Sequence, residues 1–176
     1  MNTRTLTVVL LSSTALLLAI AGVFYLNGYR INTSISYPTG LYRLVNRPAV
    51  WHKTDLVLFC PPDNDAMQQA LYRDYIKPGI CTGGFTPVIK KIMATAGDTI
   101  TFQGLVRIDG IAVPHARILK QDSKGRPLPV QSAITLAKNQ YFMMSDHLPV
   151  VSFDSRYYGP VPAHNLIGHI KPVFTW

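Results

Sequence analysis

Residues 88–111, VIKKIMATAGDTITFQGLVRIDGI, contain the pattern that best indicates the fold class. Short runs of β-branched and apolar residues alternate with turn residues, which is typical of strands separated by tight connections. The last connection contains Asp109-Gly110 between two apolar runs, and this dipeptide is the strongest short-range hairpin signal in the chain. We therefore predict consecutive antiparallel strands in this stretch.

The same pattern extends over the chain from residue 40 onward and is interrupted by one helix candidate. Asn64 or Asp65 can cap this helix, because the apolar residues among 66–71 are spaced to line one face. Residues 120–129 have the composition of an exposed loop. The sequence predicts a mainly β, antiparallel domain with one short helix. The predicted strands are 40–45, 56–59, 88–94, 99–102, 105–108, 140–144 and 166–174.

A long apolar segment lies near the start of the chain, with no charged residue between positions 6 and 26. At about 1.5 Å per residue, a helix of this length covers the roughly 30 Å hydrocarbon core of a bilayer. We predict an N-terminal transmembrane helix over about residues 6–26, within an anchor of residues 1–29. The exported domain then comprises residues 30–176.

The apolar segment also has features of a cleavable secretory signal, because Arg4 precedes it and small residues at 19–21 resemble a cleavage site. We favour a retained anchor, since the run continues beyond that site. Tyr25 and Tyr29 are also typical of the aromatic belt at a membrane interface. Arg4 and Arg30 flank the segment, so the charge bias is weak. We expect a single-pass inner-membrane protein with its N-terminus in the cytoplasm and its domain in the periplasm.

The chain is basic, with a formal net charge of +8, and all of its acidic residues are aspartates. The simplest use of this charge is attraction to an anionic lipid bilayer. We expect no nucleic-acid partner, because the basic residues are scattered and form no basic helix or aromatic-interleaved stripe. The absence of cysteine or histidine clusters at ligand spacing also predicts no metal site, and we expect no cofactor.

Cys60 and Cys81 are the only cysteines in the chain. Export would place them in an oxidising compartment, which favours a disulfide between them. Such a bond would stabilise the domain by roughly 3 kcal/mol in the chain-entropy treatment. The alternative is a pair of separate buried thiols.

Ser36 and Lys90 are the two residues that we expect to carry a reaction. A serine hydroxyl becomes a good nucleophile only when a base removes its proton, and a lysine is a base only when its amine is neutral. This requires its pKa to fall by roughly three or four units from about 10.4, which burial among apolar side chains can achieve. Strand periodicity does not choose between Lys90 and its neighbour Lys91, since each shares a face with two apolar residues.

Three separated segments resemble the signal peptidase family, and specifically its conjugative-transfer branch, the TraF-type peptidases. These segments are 33–42 (TSISYPTGLY), 90–98 (KKIMATAGD) and 152–159 (SFDSRYYG). Residues 59–62 (FCPP) and 79–84 (GICTGG) agree with the same branch. In the first segment, Tyr37 stands where general signal peptidases commonly have methionine. The resemblance implies a signal-peptidase-like antiparallel β fold.

The resemblance also implies roles for the residues that match these segments. Ser36 is expected to be the nucleophile, Lys90 the general base, and Asp154 a third catalytic residue. We expect Arg156 to pair with Asp154 in an extended segment, which would leave Ser155 to hydrogen-bond the lysine amine. The Ser36 backbone N–H and the Ser34 hydroxyl are the expected donors to the oxyanion.

These residues predict a membrane-bound serine peptidase with a Ser/Lys mechanism. The TraF-type resemblance implies a prepilin substrate in a conjugative type IV secretion system, released either by water or by its own amine as a cyclic product. Two alternatives are a general leader peptidase acting on other exported proteins and a non-catalytic, membrane-anchored scaffold of a secretion channel. A third is a Ser/His/Asp triad, since His147 follows Asp146 and other histidines are available, namely His115, His164 and His169.

Overall fold

The computed structural model describes residues 2–176, and Met1 of the predicted anchor lies outside them. Helix α1 (Thr3–Leu26) comprises 24 residues and has a mean hydropathy of 2.3 over its most apolar window. None of that window is buried against the domain. The helix begins three residues earlier than expected and is about 36 Å long at 1.5 Å per residue. Its length and composition suit a single membrane span or a signal sequence.

The rest of the described chain is mainly antiparallel β structure, as predicted. All seven predicted strands are present, and their bounds differ from the prediction by one residue at most. Additional strands occur at 29–32, 111–117, 134–135 and 161–162. The strands are β1 (Tyr29–Asn32), β2 (Gly40–Leu44), β3 (Leu56–Phe59), β4 (Val88–Ala94), β5 (Thr99–Gln103), β6 (Leu105–Ile108), β7 (Ile111–Arg117), β8 (Ile134–Thr135), β9 (Gln140–Met144), β10 (Val161–Pro162) and β11 (Leu166–Thr175).

Two sheets contain these strands. The larger has the order β1-β2-β11-β3-β4-β9-β10 and the smaller has the order β7-β6-β5-β8. Strand β4 lies between β3 and β9, with Lys90 opposite Val57 and Lys91 opposite Met144. The predicted hairpin joins β6 to β7, and Asp109 and Gly110 both adopt the positive φ that its tight turn requires.

Helix α2 (Asp65–Tyr72) confirms the predicted short helix. Asn64 caps it, because its side-chain oxygen accepts the backbone N–H of Met67 over 3.1 Å. A four-residue helix, α3 (Ser155–Tyr158), follows later in the chain. The prediction of an extended segment around Arg156 was therefore wrong. The local cause is Asp154, whose carboxylate accepts the Arg156 backbone N–H and so begins a helical turn.

Both faces of β4 are covered by apolar side chains. Ile92 packs in a large core with residues of β3, α2 and β9, among them Phe59, Met67 and Met143. Ile89 packs in a separate small cluster that includes Tyr37. Because side chains alternate along a strand, Lys90 lies on the Ile92 face and Lys91 lies on the Ile89 face.

Cys60 and Cys81 form a disulfide, with their Cα atoms 5.5 Å apart. The bond joins the residue after β3 to the loop that precedes β4. Helix α2 lies within the segment that this bond closes. The disulfide therefore holds α2 and the following loop beside the sheet that contains Lys90.

Candidate active site

The loop between β1 and β2 places Ser36 at the site. We call residues 33–38 the nucleophile loop. Buried Asn32, at the end of β1, donates from its side-chain amide to the carbonyls of Ser34, Tyr37 and Pro38 over 3.0, 3.1 and 3.0 Å. Its side-chain oxygen accepts the Ser34 N–H over 3.1 Å. One side chain thus satisfies much of the loop backbone and fixes its shape.

Lys90 and Ser36 are in direct contact. Lys90 Nζ donates a hydrogen bond to Ser36 Oγ over 2.7 Å. Lys90 is 4 % exposed and Ser36 is 5 % exposed. The structure thus brings together two side chains that are 54 residues apart in the sequence. This geometry allows direct proton transfer between the hydroxyl and the amine.

Burial lowers the pKa of Lys90 to about 8, because the charged ammonium is poorly solvated in this apolar setting. The charge of Asp154 opposes this shift, and the charge of Arg156 adds to it. The shift is smaller than the roughly three or four units expected from the sequence. A pKa near 8 still leaves an appreciable fraction of neutral amine at neutral and mildly alkaline pH.

Asp154 and Arg156 form a buried ion pair behind the lysine. Arg156 Nε donates to Asp154 Oδ1 over 2.8 Å, and a terminal guanidinium nitrogen donates to Oδ2 over 2.9 Å. The guanidinium also donates to the carbonyls of Arg117, Pro149 and Ser152. Asp154 is 0 % exposed and Arg156 is 1 % exposed. The bidentate pairing predicted from the sequence is present, although it forms on a helix.

Ser155 does not contact the lysine amine as predicted. Its hydroxyl accepts the backbone N–H of Met143 over 3.0 Å, and no hydrogen bond joins it to Lys90 among residues 2–176. The helical turn at α3 is the cause, since it directs Ser155 toward β9. Ser152, which sequence reasoning did not select, is buried beside the same cleft as Lys90. Within the described chain its hydroxyl has no hydrogen-bond partner.

Ser34 lies beside Ser36. The two hydroxyl oxygens of Ser34 and Ser36 are 3.0 Å apart, and the Ser36 backbone N–H points to Ser34 Oγ over 3.4 Å. A hydroxyl at this position can rotate its hydrogen toward an oxyanion that forms next to Ser36. The Ser34 hydroxyl and the Ser36 backbone N–H thus both lie next to Ser36 Oγ, and their role as oxyanion donors stays a prediction.

A second hydrogen-bond network contacts the nucleophile loop at Tyr37. Tyr37 donates from its hydroxyl to Asp146 Oδ1 over 2.5 Å, and Lys91 Nζ binds the other carboxylate oxygen. Burial and the neighbouring Asp146 raise the pKa of Tyr37. Burial would raise the pKa of Asp146, but hydrogen bonds from Lys91 and Tyr37 lower it. Sequence reasoning missed this network, because Tyr37 and Asp146 are 109 residues apart and neither has a local signal.

Ser36, Ser34 and Lys90 line an open cleft of about 1130 Å³. The residues that line the cleft include Tyr25 near the end of α1 and Tyr75 in the segment that the disulfide closes. Its walls are mainly apolar, which suits an extended peptide.

The hydrogen bond to Ser36 Oγ comes from a lysine and not from a histidine. His147, the leading candidate for a triad, instead stacks on the ring of Tyr37 with 6.3 Å between ring centroids. Among the described residues, no histidine forms a hydrogen bond with Ser36. The site is therefore built as a Ser–Lys pair.

The mainly β fold, the N-terminal apolar helix and the buried Ser–Lys pair define a class of protein in which a serine hydroxyl contacts a buried lysine amine. The chain matches the family described as signal peptidase, peptidase S26, over residues 4–176. It belongs to this family.

Its relatives include two proteins that are named for plasmid or conjugal transfer. The plasmid transfer protein TraF of Escherichia coli is 39% identical over 162 residues, covering 90% of both chains. The conjugal transfer protein TraF of Agrobacterium fabrum is 34% identical over 151 residues, covering 86% of this chain and 85% of that protein. A crystal structure of a signal peptidase I from Enterococcus faecalis aligns with a TM-score of 0.40 at 18% identity, covering 71% of this chain and 97% of that chain.

Proposed function

We propose that this protein is a membrane-bound serine endopeptidase with a Ser/Lys mechanism. One observation carries the proposal: Lys90 Nζ lies 2.7 Å from Ser36 Oγ, with both side chains buried. The lowered pKa of Lys90, about 8, supports the same role, because a base must be neutral to accept a proton. The pair also lines a cleft that is large enough for a peptide segment.

The reaction follows from this geometry. The neutral Lys90 amine accepts the hydroxyl proton while Ser36 Oγ attacks the peptide carbonyl. The Ser34 hydroxyl and the Ser36 backbone N–H stabilise the negative charge that develops on the carbonyl oxygen. Lys90 then gives the proton to the departing amine, which leaves an acyl-enzyme on Ser36. A second nucleophile attacks this ester, and Lys90 serves again as the base.

Asp154 and Arg156 support the base without taking part in bond changes. A lone buried carboxylate would hold Lys90 in its charged form. Arg156 neutralises that carboxylate through two hydrogen bonds, so burial remains the dominant effect on the lysine. In this proposal Asp154 positions α3 and tunes the amine, and Ser155 fixes α3 to β9.

We infer that the substrate is a prepilin of a conjugative type IV secretion system, processed at the periplasmic face of the inner membrane. The TraF names of the relatives support a conjugative role. The apolar α1 helix supports a membrane location. Ser36 lies ten residues beyond the end of α1, so an extended chain keeps it within about 35 Å of that helix end. A membrane-associated substrate fits this constraint.

The second nucleophile determines the product. Water gives a free carboxylate, whereas the amine at the substrate's own N-terminus gives a cyclic product. A tethered amine reaches about millimolar effective concentration, so it competes with water when the bound substrate excludes solvent from the cleft. The Ser36 ester is the same in both cases.

The test is incubation of the full chain, reconstituted in lipid vesicles, with a candidate prepilin, followed by intact-mass analysis. Cleavage that adds one water to the summed mass of the products indicates hydrolysis. A product that is one water lighter than the linear cleaved pilin indicates cyclisation. Ser36→Ala and Lys90→Met are the matched inactive controls. Cleavage of many exported proteins at similar rates would favour a general leader peptidase. No product from any exported substrate would overturn the proposal and favour a scaffold.

The location has its own test in cells. Protease added to spheroplasts should degrade the domain of residues 30–176 if it faces the periplasm. Complete protection of the domain, with a periplasmic marker digested in the same sample, would place it on the cytoplasmic side.

A further inference from the structure

We propose that Ser145, Asp146, Lys91 and Tyr37 form a clasp that positions the nucleophile loop, with Ser145 and Lys91 as positioning residues for the proposed reaction. This inference rests on the proposed function. The clasp contacts the loop at the Ser36 carbonyl and the Tyr37 hydroxyl, whereas Lys90 contacts the Ser36 hydroxyl. It assigns a role to the second lysine of the Lys90-Lys91 pair.

Ser145 holds the backbone of the nucleophile itself. It is 1 % exposed, and its hydroxyl donates to the Ser36 carbonyl over 2.5 Å. The backbone N–H of Leu148 donates to Ser145 Oγ over 3.1 Å. Because the Ser36 carbonyl can only accept, the hydroxyl hydrogen of Ser145 is directed at it. This bond fixes the peptide plane that follows Ser36, and with it the direction of the Ser36 side chain.

Tyr37 holds the next residue of the loop. Its hydroxyl donates to Asp146 over 2.5 Å, and the Asp146 backbone N–H returns a weaker bond of 3.4 Å. The ring is buried in the small cluster with Leu58 and Ile89. Lys91 binds the second oxygen of Asp146. A phenol ring with two rotatable bonds and a fixed hydroxyl makes a rigid connection.

The clasp connects the nucleophile to the strand that contains the base. Residues 145–148 continue directly from β9, which pairs with β4 at Met144 and Lys91. Ser36 is therefore fixed at its carbonyl by the segment after β9 and at its hydroxyl by β4. A shift of the loop would change the distance between Oγ and Nζ directly. Displacements of about 1 Å at a reacting atom lower turnover by about 100-fold.

The first test measures steady-state kinetics of the full chain in vesicles on a cleavable prepilin. Ser145→Ala and Tyr37→Phe should each lower kcat by about 10- to 100-fold, with KM changed by less than about twofold. Lys91→Gln should lower kcat less, and Lys91→Arg should restore it because the charge is kept. Lys53→Gln is the matched control, since it breaks an ion pair of Lys53 with Asp98 (2.8 Å) away from the loop. Unchanged kcat in both Ser145→Ala and Tyr37→Phe would overturn the clasp.

The second test does not depend on activity. Amide hydrogen exchange of residues 32–38, followed by mass spectrometry, should be at least about tenfold faster in Ser145→Ala and Tyr37→Phe than in the parent protein or Lys53→Gln. Faster exchange confined to this loop supports the clasp even if the parent protein cleaves no substrate. Failure of the proposed function can therefore be distinguished from failure of the clasp. Exchange at the parent rate in both variants would overturn it. Equal acceleration across the whole domain would also overturn it, because it would indicate a purely structural role.

Discussion

Lys90 and Lys91 are neighbours on β4, yet their side chains have opposite surroundings. Lys90 is 4 % exposed and its amine contacts a serine hydroxyl. The Lys91 side chain is 27% exposed and its amine contacts the carboxylate of Asp146. The difference shows that the face of the strand, and not the type of residue, decides which lysine can become a base.

The physical cause is the different cost of charge on the two faces. On the Lys90 face, apolar packing lowers the pKa from 10.5 to about 8. This shift corresponds to about 3 kcal/mol of lost solvation for the ammonium. On the Lys91 face, the amine contacts the carboxylate of Asp146 and the side chain is partly exposed to water. One face therefore suits the proton acceptor of the proposed reaction, and the other contains an ion pair.

The largest expected effect separates the two lysines directly. Lys90→Met keeps the length and apolar packing of the side chain but removes the base, so we expect prepilin cleavage to fall by about 10²–10⁴-fold. Lys91→Met should lower it by less than about tenfold, since it loses only a positioning contact. Initial rates with equal amounts of folded protein measure both. If Lys91→Met were inactive and Lys90→Met active, the assignment of the two faces would be reversed.

The second effect compares the two aspartates next to these lysines. Arg156→Met would leave Asp154 buried without its partner, and we expect the free energy of unfolding to fall by about 3–5 kcal/mol. Lys91→Met, which leaves the more exposed Asp146 without its cation, should lower it by at most about 1 kcal/mol. Urea denaturation followed by tyrosine and tryptophan fluorescence provides both values. Similar decreases in the free energy of unfolding would show that Asp146 needs Lys91 as much as Asp154 needs Arg156.

Much of the fold was predictable, because its signals are local. Short apolar and β-branched runs between turn residues identified seven strands, Asp109-Gly110 identified a hairpin, and Asn64 or Asp65 marked the start of α2. Strand β1 was missed because YRIN lacks this pattern; pairing with β2 stabilises it. Helix α3 was missed because a single turn of four residues has no periodicity, and its cap, Asp154, was interpreted only as an ion-pair partner.

The site was predictable only where short motifs identified it. Ser36, Lys90, Ser34 and the Asp154–Arg156 pair were selected from the sequence, and the structure brings them together around one cleft or directly behind it. Asn32 and the clasp were not selected. Their contacts depend on backbone carbonyls and on partners that only the folded chain brings close. A buried asparagine that bonds three carbonyls has the same sequence appearance as a turn residue.

The third effect concerns Ser34, whose hydroxyl lies next to the Ser36 hydroxyl that Lys90 contacts. Ser34→Ala removes one proposed donor to the oxyanion, and we expect kcat to fall by about 10²–10³-fold with little change in KM. The matched control is Thr135→Ala, which breaks a similar contact between two hydroxyls, that of Thr99 with Thr135 at 2.9 Å, in the smaller sheet. Parent-like kcat in Ser34→Ala would remove Ser34 from the oxyanion site and leave the Ser36 N–H as the donor.

The smallest effect is the pH dependence, and it distinguishes the two lysines without removing the base. Lys90 acts only when neutral, so kcat/KM should fall about tenfold for each pH unit below a pKa of about 8 and should level off above it. Lys91→Met should keep this profile with its midpoint near 8, because the ion pair of Lys91 lies on the other face of β4 and accepts no proton from Ser36. A midpoint that moves to neutral pH or disappears in Lys91→Met would mean that Lys91 sets the ionisation. A midpoint unchanged in Lys91→Met and shifted upward in Arg156→Gln would instead confirm the charge balance around Lys90, since Arg156 is the cation that lowers its pKa.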